Sequence, residues 1–334
     1  MSIFKENIAY RPFRYPWAVS AEKQHRVDMV WHEGQVELQD DLRQYNSSYG
    51  LATATVSHES NKIILDRNLM IFTEMDKAVG TGYCKLLPYV CNNEIRTMMM
   101  TFAAREVTHQ RAYALAAETF GFTDSEWAGF HDYKAMQDKI DLISGGEDDL
   151  SIPLNFAKFL SVLLLGEGIS LFGAFACLLN LKRHGKLVNF NSVNEWSLKD
   201  ETEHVKYNIR VLDEIRKDDL SEAESIDLDR FIVDMVEKYV DAEYRYIDLM
   251  LEYGDQENLS KEDMRGYIEY LGKLRLFQLK IIPLSEVPDN PLDWLDYIIS
   301  GKTHTNFFEA RVVDYSHAGL PGDIDYSKYL TLIN

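Results

Sequence analysis

The sequence predicts an all-α fold, a helical bundle with charged side chains buried at its centre. Two observations lead to this prediction. Apolar residues recur at helical spacing along most of the 334-residue chain, which has only 8 prolines and no strand-rich block. In addition, one pattern occurs twice: an acid in an apolar segment, followed some thirty residues later by Glu-x-x-His. A single Glu-x-x-His arises often by chance, whereas two copies, each preceded by an acid, indicate one shared site.

The helices are predicted in chain order from the apolar spacing. Several starts are supported by capping boxes, in which a Ser or Thr and an acid three residues later satisfy each other's backbone N–H groups. These pairs are Thr123 with Glu126, Ser221 with Glu224 and Ser260 with Asp263. Helix ends are predicted at Gly121, Gly145–Gly146 and His184–Gly185. The predicted helices span residues 61–79, 93–120, 124–143, 154–183, 193–216, 222–253 and 261–281.

Charge and cysteine content exclude several classes of function. The chain has 35 basic and 54 acidic residues, a net charge of −19, which argues against binding nucleic acid or anionic membranes. It has 3 cysteines and no Cys-x-x-Cys motif, so no disulfide framework is predicted. The first residues lack the apolar run of a signal peptide. A cytoplasmic location is expected, in a cell or in a virus-infected host cell.

The apolar stretch from residue 159 to residue 181 is long enough to span a bilayer. It carries one charge, Glu167, and an unpaired carboxylate in hydrocarbon is costly. No second span accompanies it, and the next predicted helix supplies the matching Glu-x-x-His. A central helix covered on all sides by other helices explains the same apolarity, and it is the interpretation adopted here.

The repeated pattern predicts a metal site. On a helix, Glu and His three residues apart share one face, so each pair offers an oxygen and a nitrogen to one point. Four carboxylates and two imidazoles that converge inside a bundle can hold two metal ions, as in ferritin-like dimetal-carboxylate proteins. The first copy supplies Asp76, Glu106 and His109; the second supplies Glu167, Glu201 and His204.

The donor types narrow the choice of metal. Mixed carboxylate and imidazole ligands suit iron or manganese, and the absence of thiolates disfavours structural zinc. Any one of the six residues alone is explained as well by an ordinary core polar group or surface pair. The six together favour the metal site. Tyr113 follows His109 by four positions and shares its helix face, so it is either a core tyrosine or a phenol that the metals oxidise.

At this point the sequence resembles the small (beta), radical-generating subunit of class I ribonucleotide reductase. The segment EVTHQRAY is similar to that family's Glu-x-x-His-x-x-x-Tyr, and Asp76 matches the branch whose first ligand is aspartate. Glu167 and the DETEH segment complete the ligand set at the family's spacing. Near the end, GKTHTNFFEARVVDY resembles a family block whose last residue, here Tyr315, is the relay tyrosine of the tail. The resemblance runs from about Tyr15 to the C-terminus.

The resemblance implies a radical relay. Tyr113 would store the radical, and Trp31, Asp200 and Tyr315 would carry it to a partner subunit. Trp17 competes with Trp31 for the tryptophan position, because the alignment needs an insertion between Trp31 and the first ligand.

The resemblance also implies a function, cofactors and partners. The two metal ions in each subunit, iron first, with dimanganese or mixed manganese–iron as alternatives, would react with O2 or a reduced oxygen species and oxidise the tyrosine. A ribonucleotide reductase large (alpha) subunit, bound through the C-terminal tail, would then reduce ribonucleoside diphosphates to deoxyribonucleotides. The chain is expected to form a homodimer and to bind neither nucleic acid nor membrane.

Three segments are predicted: an irregular segment over residues 1–30, a ferritin-like helical domain over 31–314, and a flexible docking tail over 315–334. Two alternatives remain, another ferritin-like dimetal oxidase or oxygenase and a ferritin-like metal storage protein. Neither needs the NFFEARVVDY tail motif, which favours the reductase subunit.

The sequence departs from the family at a few positions around the site. Phe102 stands where many members carry Trp, and Asn194 and Ser197 predict a more polar pocket than usual. Leu171 and Phe175 are predicted to form an apolar wall around Tyr113.

Overall fold

The described part of the protein, residues 2–146 and 148–300 of a computed structural model, is helical throughout its regular structure. One isolated bridge joins Gln256 and Leu259. The all-α prediction is therefore confirmed. In chain order the α-helices are α1 Pro16–Lys23, α2 Gln39–Asn46, α3 His58–Leu86, α4 Asn93–Phe120, α5 Asp124–Trp127, α6 Lys134–Ser144, α7 Pro153–Leu165, α8 Phe172–Arg183, α9 Phe190–Asp218, α10 Glu222–Met250, α11 Lys261–Gln278 and α12 Asp293–Ser300.

The centre of the bundle is the segment from α7 to α8, around which α3, α9, α10 and α11 pack. Every residue from 159 to 181 is buried. Within the described ranges, Pro153–Arg183 is the one helix long and apolar enough to cross a membrane, and its apolar window is 100% buried inside the protein. Its apolarity is thus explained by the core, as predicted, and not by lipid.

This central helix is interrupted, which the apolar spacing did not show. Residues Gly166–Ser170 form a π-helical turn, and Glu167 lies on it. Gly168 permits the close approach of two neighbours: a Cβ there would lie 2.7 Å from Arg275 Nε and 3.1 Å from Val205 Cγ2. Such single π turns within α-helices are often found at functional sites, because they move one side chain out of the regular register.

Local signals predicted several helix ends correctly, although α3 was predicted to end at residue 79 and extends to Leu86. The three predicted capping boxes are present, at Thr123, Ser221 and Ser260. Helix α4 has the predicted bounds, with Asn92 accepting a hydrogen bond from the Ile95 N–H at its start and Gly121 in the left-handed conformation, φ 89°, at its end.

Two predictions of local structure were wrong. The segment 1–30 was expected to be irregular, yet it contains α1 and a π-helical turn, Gln24–Asp28. Pro16 begins α1 with its φ already suitable for a helix, and Ala18 and Ala21 are fully buried. The helix predicted over 124–143 is divided by a 3₁₀ segment, Ala128–Asp132, where glycine lowers helix propensity. The predicted tail lies outside the described residues, and the three-segment division stays a prediction.

Candidate metal centre

The six predicted ligands lie together at the centre of the bundle, and each is at most 1% exposed. Helix α3 contributes Asp76, α4 contributes Glu106 and His109, the π turn contributes Glu167, and α9 contributes Glu201 and His204. They form two adjoining sets, within each of which the potential ligand atoms lie within 4.8 Å of one another. One set is Asp76, Glu106, His109 and Glu201; the other is Glu106, Glu167, Glu201 and His204. Glu106 and Glu201 belong to both.

The donor atoms fit a pair of divalent cations. Within the described residues, five buried carboxylate oxygens of this cluster have no hydrogen-bond partner: Asp76 Oδ2 and both Oε atoms of Glu106 and of Glu201. Burying an ionised carboxylate without a compensating charge is strongly unfavourable. Two divalent ions would balance the charge of the four carboxylates and take up the free oxygen lone pairs.

Both histidines turn Nδ1 toward the carboxylates. His109 Nδ1 lies 3.1 Å from Glu201 Oε1, and His204 Nδ1 lies 3.1 Å from Glu167 Oε1. Burial favours neutral imidazoles, but the surrounding carboxylates outweigh it and raise the pKa of both histidines well above the ordinary value. For Asp76 the cause is different: burial itself raises the pKa of this carboxyl well above its usual range. These groups hold protons where a metal ion would replace them.

Glu167 is held by two residues that sequence reasoning missed. Tyr83 OH donates to Glu167 at 2.9 Å from each carboxylate oxygen, and Asn208 Nδ2 donates to Oε2 at 3.2 Å. Asn208 Nδ2 also lies 2.6 Å from the Tyr83 oxygen. For Asn208 a signal was present, since it follows Glu201 by seven residues on the same predicted helix, whereas Tyr83 lies beyond residue 79, where its helix was predicted to end. Two helical turns return a side chain to nearly the same face.

Tyr113 is fully buried, and its hydroxyl donates to Asn194 Oδ1 at 3.1 Å. Its ring stacks on Phe72, with centroids 4.4 Å apart, and the Phe175 ring centroid lies 5.1 Å from that of Phe72. Phe72 was not identified from the sequence. Burial, followed by the nearby charge of Asp76, raises the pKa of Tyr113 well above its ordinary value. The phenol is therefore neutral and shielded from solvent.

Trp31 contacts the cluster through Asp200. Its Nε1 donates to Asp200 Oδ2 at 2.8 Å, and its ring stacks on His109 with centroids 5.6 Å apart. Burial favours a protonated Asp200, but the hydrogen bond with His109 and the charge of Arg105 outweigh it and lower the pKa of Asp200 to about 2. Arg105, also missed from the sequence, lies with Nε 3.4 Å from Asp200 Oδ2.

Trp17, the competing tryptophan, lies elsewhere. It stacks on Tyr207 with centroids 6.2 Å apart, and the Arg210 guanidinium lies 5.0 Å from its ring centroid. The contact with Asp200 thus belongs to Trp31. The fourth predicted relay residue, Tyr315, lies outside the described residues.

Comparison with known proteins identifies the family. The family model described as "Ribonucleotide reductase, small chain" matches residues 7–291. The chain belongs to this family. A probable ribonucleoside-diphosphate reductase small subunit of Invertebrate iridescent virus 3 is 28% identical over 342 residues, covering 97% of this chain and 88% of the relative. The ribonucleoside-diphosphate reductase subunit beta of Chlamydia pneumoniae is 23% identical, covering 92% of this chain and 90% of the relative.

Two solved structures share the fold. The R2 subunit from Clostridium botulinum aligns with a TM-score of 0.72 at 17% identity, covering 86% of this chain and 89% of that one. The dimanganese(II)-NrdF of Streptococcus sanguinis aligns with a TM-score of 0.69 at 16% identity, covering 89% and 100%. The ferritin-like fold and the family that the sequence motifs predicted are both confirmed.

Proposed function

We propose that this ribonucleotide reductase small chain binds two metal ions in the buried cluster and uses them to convert Tyr113 to a tyrosyl radical. A large subunit would use that radical to reduce ribonucleoside diphosphates to deoxyribonucleotides. The observation that carries the proposal is the pair of adjoining ligand sets that share Glu106 and Glu201, because shared carboxylates can bridge two ions.

The six candidate ligands divide between the two positions. Asp76 and His109 would hold one ion and Glu167 and His204 the other, with Glu106 and Glu201 between them. Iron is the first choice, and dimanganese or mixed manganese–iron suits the same oxygen and nitrogen donors. Bound there, the ions would supply the one-electron oxidant after reaction with O2 or a reduced oxygen species.

The surroundings of Tyr113 suit a stored radical. Asn194 holds the phenol oxygen in place, and its neutral amide leaves the proton on Tyr113 until the phenol is oxidised. Phe72 covers the ring and, because the side chain has no exposed surface, dissolved reductants cannot contact it.

The path out of the protein would use Trp31 and Asp200. Electron tunnelling weakens steeply with distance, so an oxidising equivalent leaves a buried site by hopping between oxidisable side chains. Ionised Asp200 accepts from both Trp31 Nε1 and His109 Nε2, and so joins an indole to a candidate metal ligand by two short contacts. Tyr315 would be the next station, as the resemblance implies.

The partners follow from the same proposal. The large (alpha) subunit would bind through the C-terminal residues 315–334, which end in the apolar sequence YLTLIN, and the small chain would itself be a homodimer.

Electron paramagnetic resonance tests the central proposal. Apoprotein is loaded with ferrous iron, exposed to O2 and frozen; a second sample is loaded with manganese and given a reduced oxygen species. An organic radical signal, together with about two metal ions per chain, is the expected result in at least one sample. Two bound ions without any organic radical would instead support a ferritin-like oxidase or storage protein.

A further inference from the structure

In both candidate ligand histidines Nδ1 faces the carboxylates, and the two rings differ in the partner of the other nitrogen, Nε2. His109 Nε2 lies 3.1 Å from Asp200 Oδ2. His204 Nε2 is buried and, among the residues that the structure describes, has no hydrogen-bond partner. A metal-bound histidine nearly always donates this second N–H to a carboxylate, a carbonyl or water, which sets its tautomer and its basicity. His204 therefore needs an acceptor.

His25 lies where such an acceptor is needed. It belongs to the π-helical turn Gln24–Asp28 and is 1% exposed. Its ring centroid lies 5.0 Å from that of His204 and 4.8 Å from that of Phe102. Neither of its ring nitrogens has a partner in the described ranges 2–146 and 148–300. Leaving a buried polar group unpaired is unfavourable, so two adjacent unpaired imidazoles call for an explanation.

The two rings are complementary as donor and acceptor. A neutral imidazole has one N–H and one nitrogen lone pair, so His25 can accept a hydrogen bond. His204 turns Nδ1 to the carboxylates, so a metal ion bound at Nδ1 would leave the ring proton on Nε2. One ring can donate and the other can accept.

Arg105 holds His25 in this place. Its guanidinium donates to the backbone oxygens of His25 and Met29, at 2.8 Å and 2.9 Å. The same guanidinium lies beside Asp200, the partner of His109. One buried cation thus fixes the backbone that carries His25 and the carboxylate that holds the other histidine.

We propose that His25 is a positioning residue for His204. Its neutral imidazole accepts a hydrogen bond from His204 Nε2–H, either after a small ring rotation or through one water molecule. A carboxylate partner makes a histidine a stronger metal ligand than a neutral imidazole partner does. The ion at Glu167 and His204 is therefore bound more weakly than the ion at Asp76 and His109. This inference rests on the proposed dimetal site.

The test is a Mn²⁺ titration of apoprotein, in which free Mn²⁺ is measured by electron paramagnetic resonance. His25→Leu should weaken the weaker of the two binding steps by about 10- to 100-fold, the usual effect of removing such a partner, and leave the stronger step unchanged. His25→Gln supplies an amide oxygen as acceptor and should recover most of the loss. Phe102→Leu, which alters the same packing but removes no acceptor, should leave both steps close to wild type.

Thermal unfolding of the apoproteins separates this role from simple packing. Apo His25→Leu should be at least as stable as wild type, because it removes an unpaired buried imidazole. Two outcomes would overturn the role of His25 but leave the dimetal site standing. In one, His25→Leu binds both Mn²⁺ ions with wild-type affinity; in the other, both affinities fall equally and the apoprotein is less stable. Fewer than two bound Mn²⁺ ions in the wild type would overturn the dimetal site and this inference with it.

Discussion

Trp31 and Asp200 are joined by a buried hydrogen bond of 2.8 Å between side chains 169 residues apart in the chain. Trp31→Phe would keep an aromatic ring against His109 but lose the donor and the easily oxidised indole. We expect metal binding and the Tyr113 radical to persist while nucleotide reduction with the large subunit falls to background. Trp17→Phe is the matched control, since Trp17 stacks on Tyr207 instead. Full turnover by Trp31→Phe would remove Trp31 from the relay.

Tyr113→Phe should remove the organic radical and leave the metal content unchanged. The variant loses only the hydroxyl and its hydrogen bond to Asn194, so the free energy of unfolding should fall by about 0.5–1.5 kcal/mol. Tyr239→Phe is the control, because Tyr239 is also fully buried and donates to the Val162 carbonyl at 2.9 Å. A radical of unchanged line shape in Tyr113→Phe, measured by electron paramagnetic resonance, would place the stored oxidant elsewhere.

Glu106→Ala should abolish binding of at least one metal ion, because Glu106 belongs to both ligand sets. Its carboxylate lies 3.4 Å from His109 Nδ1 and 3.3 Å from His204 Nδ1, so the apoprotein should lose some stability as well. Glu243→Gln is a contrasting control: Glu243 is equally buried but lies 2.5 Å from Lys139 Nζ. It should destabilise the fold by about 3–5 kcal/mol, as unpaired buried charges do, yet not change the number of ions bound. Elemental analysis and denaturant unfolding give both quantities; two ions in Glu106→Ala would contradict the assignment.

Asp41→Asn should stabilise the protein more as the pH rises. Asp41 accepts from the Phe190 N–H at 2.7 Å, and burial raises the pKa of its carboxyl to about 6. The folded state therefore binds this proton more tightly than the unfolded state, and the resulting stability is complete below about pH 4 and lost as the pH rises through about 6. Asparagine keeps the hydrogen-bond acceptor without ionising. At pH 8 the free energy of unfolding of Asp41→Asn should therefore exceed that of the wild type by about 1–3 kcal/mol.

Urea unfolding of both proteins from pH 4 to pH 8 measures this difference. Asp40→Asn, in the same helical turn but exposed and paired with Arg43, controls for the loss of one negative charge and should change stability by under about 1 kcal/mol. A difference between Asp41→Asn and wild type that stays constant with pH would contradict the prediction.

Deleting residues 325–334 should weaken the complex with the large subunit and stop turnover, while metal content and radical stay at wild-type levels. The reason is that YLTLIN offers several apolar anchors of the kind that carry peptide binding. Tyr315→Phe should separate docking from relay, since it keeps the apolar ring but is too hard to oxidise. Surface plasmon resonance measures binding to the large subunit, and a turnover assay with that subunit measures the relay. Normal turnover in Tyr315→Phe would remove Tyr315 from the relay and make Tyr326 or Tyr329 the candidate.

The sequence by itself determined the candidate ligands and the helices that carry them. The Glu-x-x-His pairs could be placed because residues three apart on a helix share a face whatever surrounds them. Helix α4 could be bounded at Asn93 and Phe120 for a similar reason, since its capping residues act within one turn of the chain.

Only the tertiary structure showed which side chains surround those candidate ligands. His25, Arg105 and Tyr83 lie on other helices or turns from the groups that they contact, and no spacing in the sequence relates them. The tertiary structure likewise showed that Trp31, and not Trp17, donates a hydrogen bond to Asp200. Helical periodicity describes contacts within one element, whereas these contacts depend on how separate helices pack, and packing is a property of the whole core.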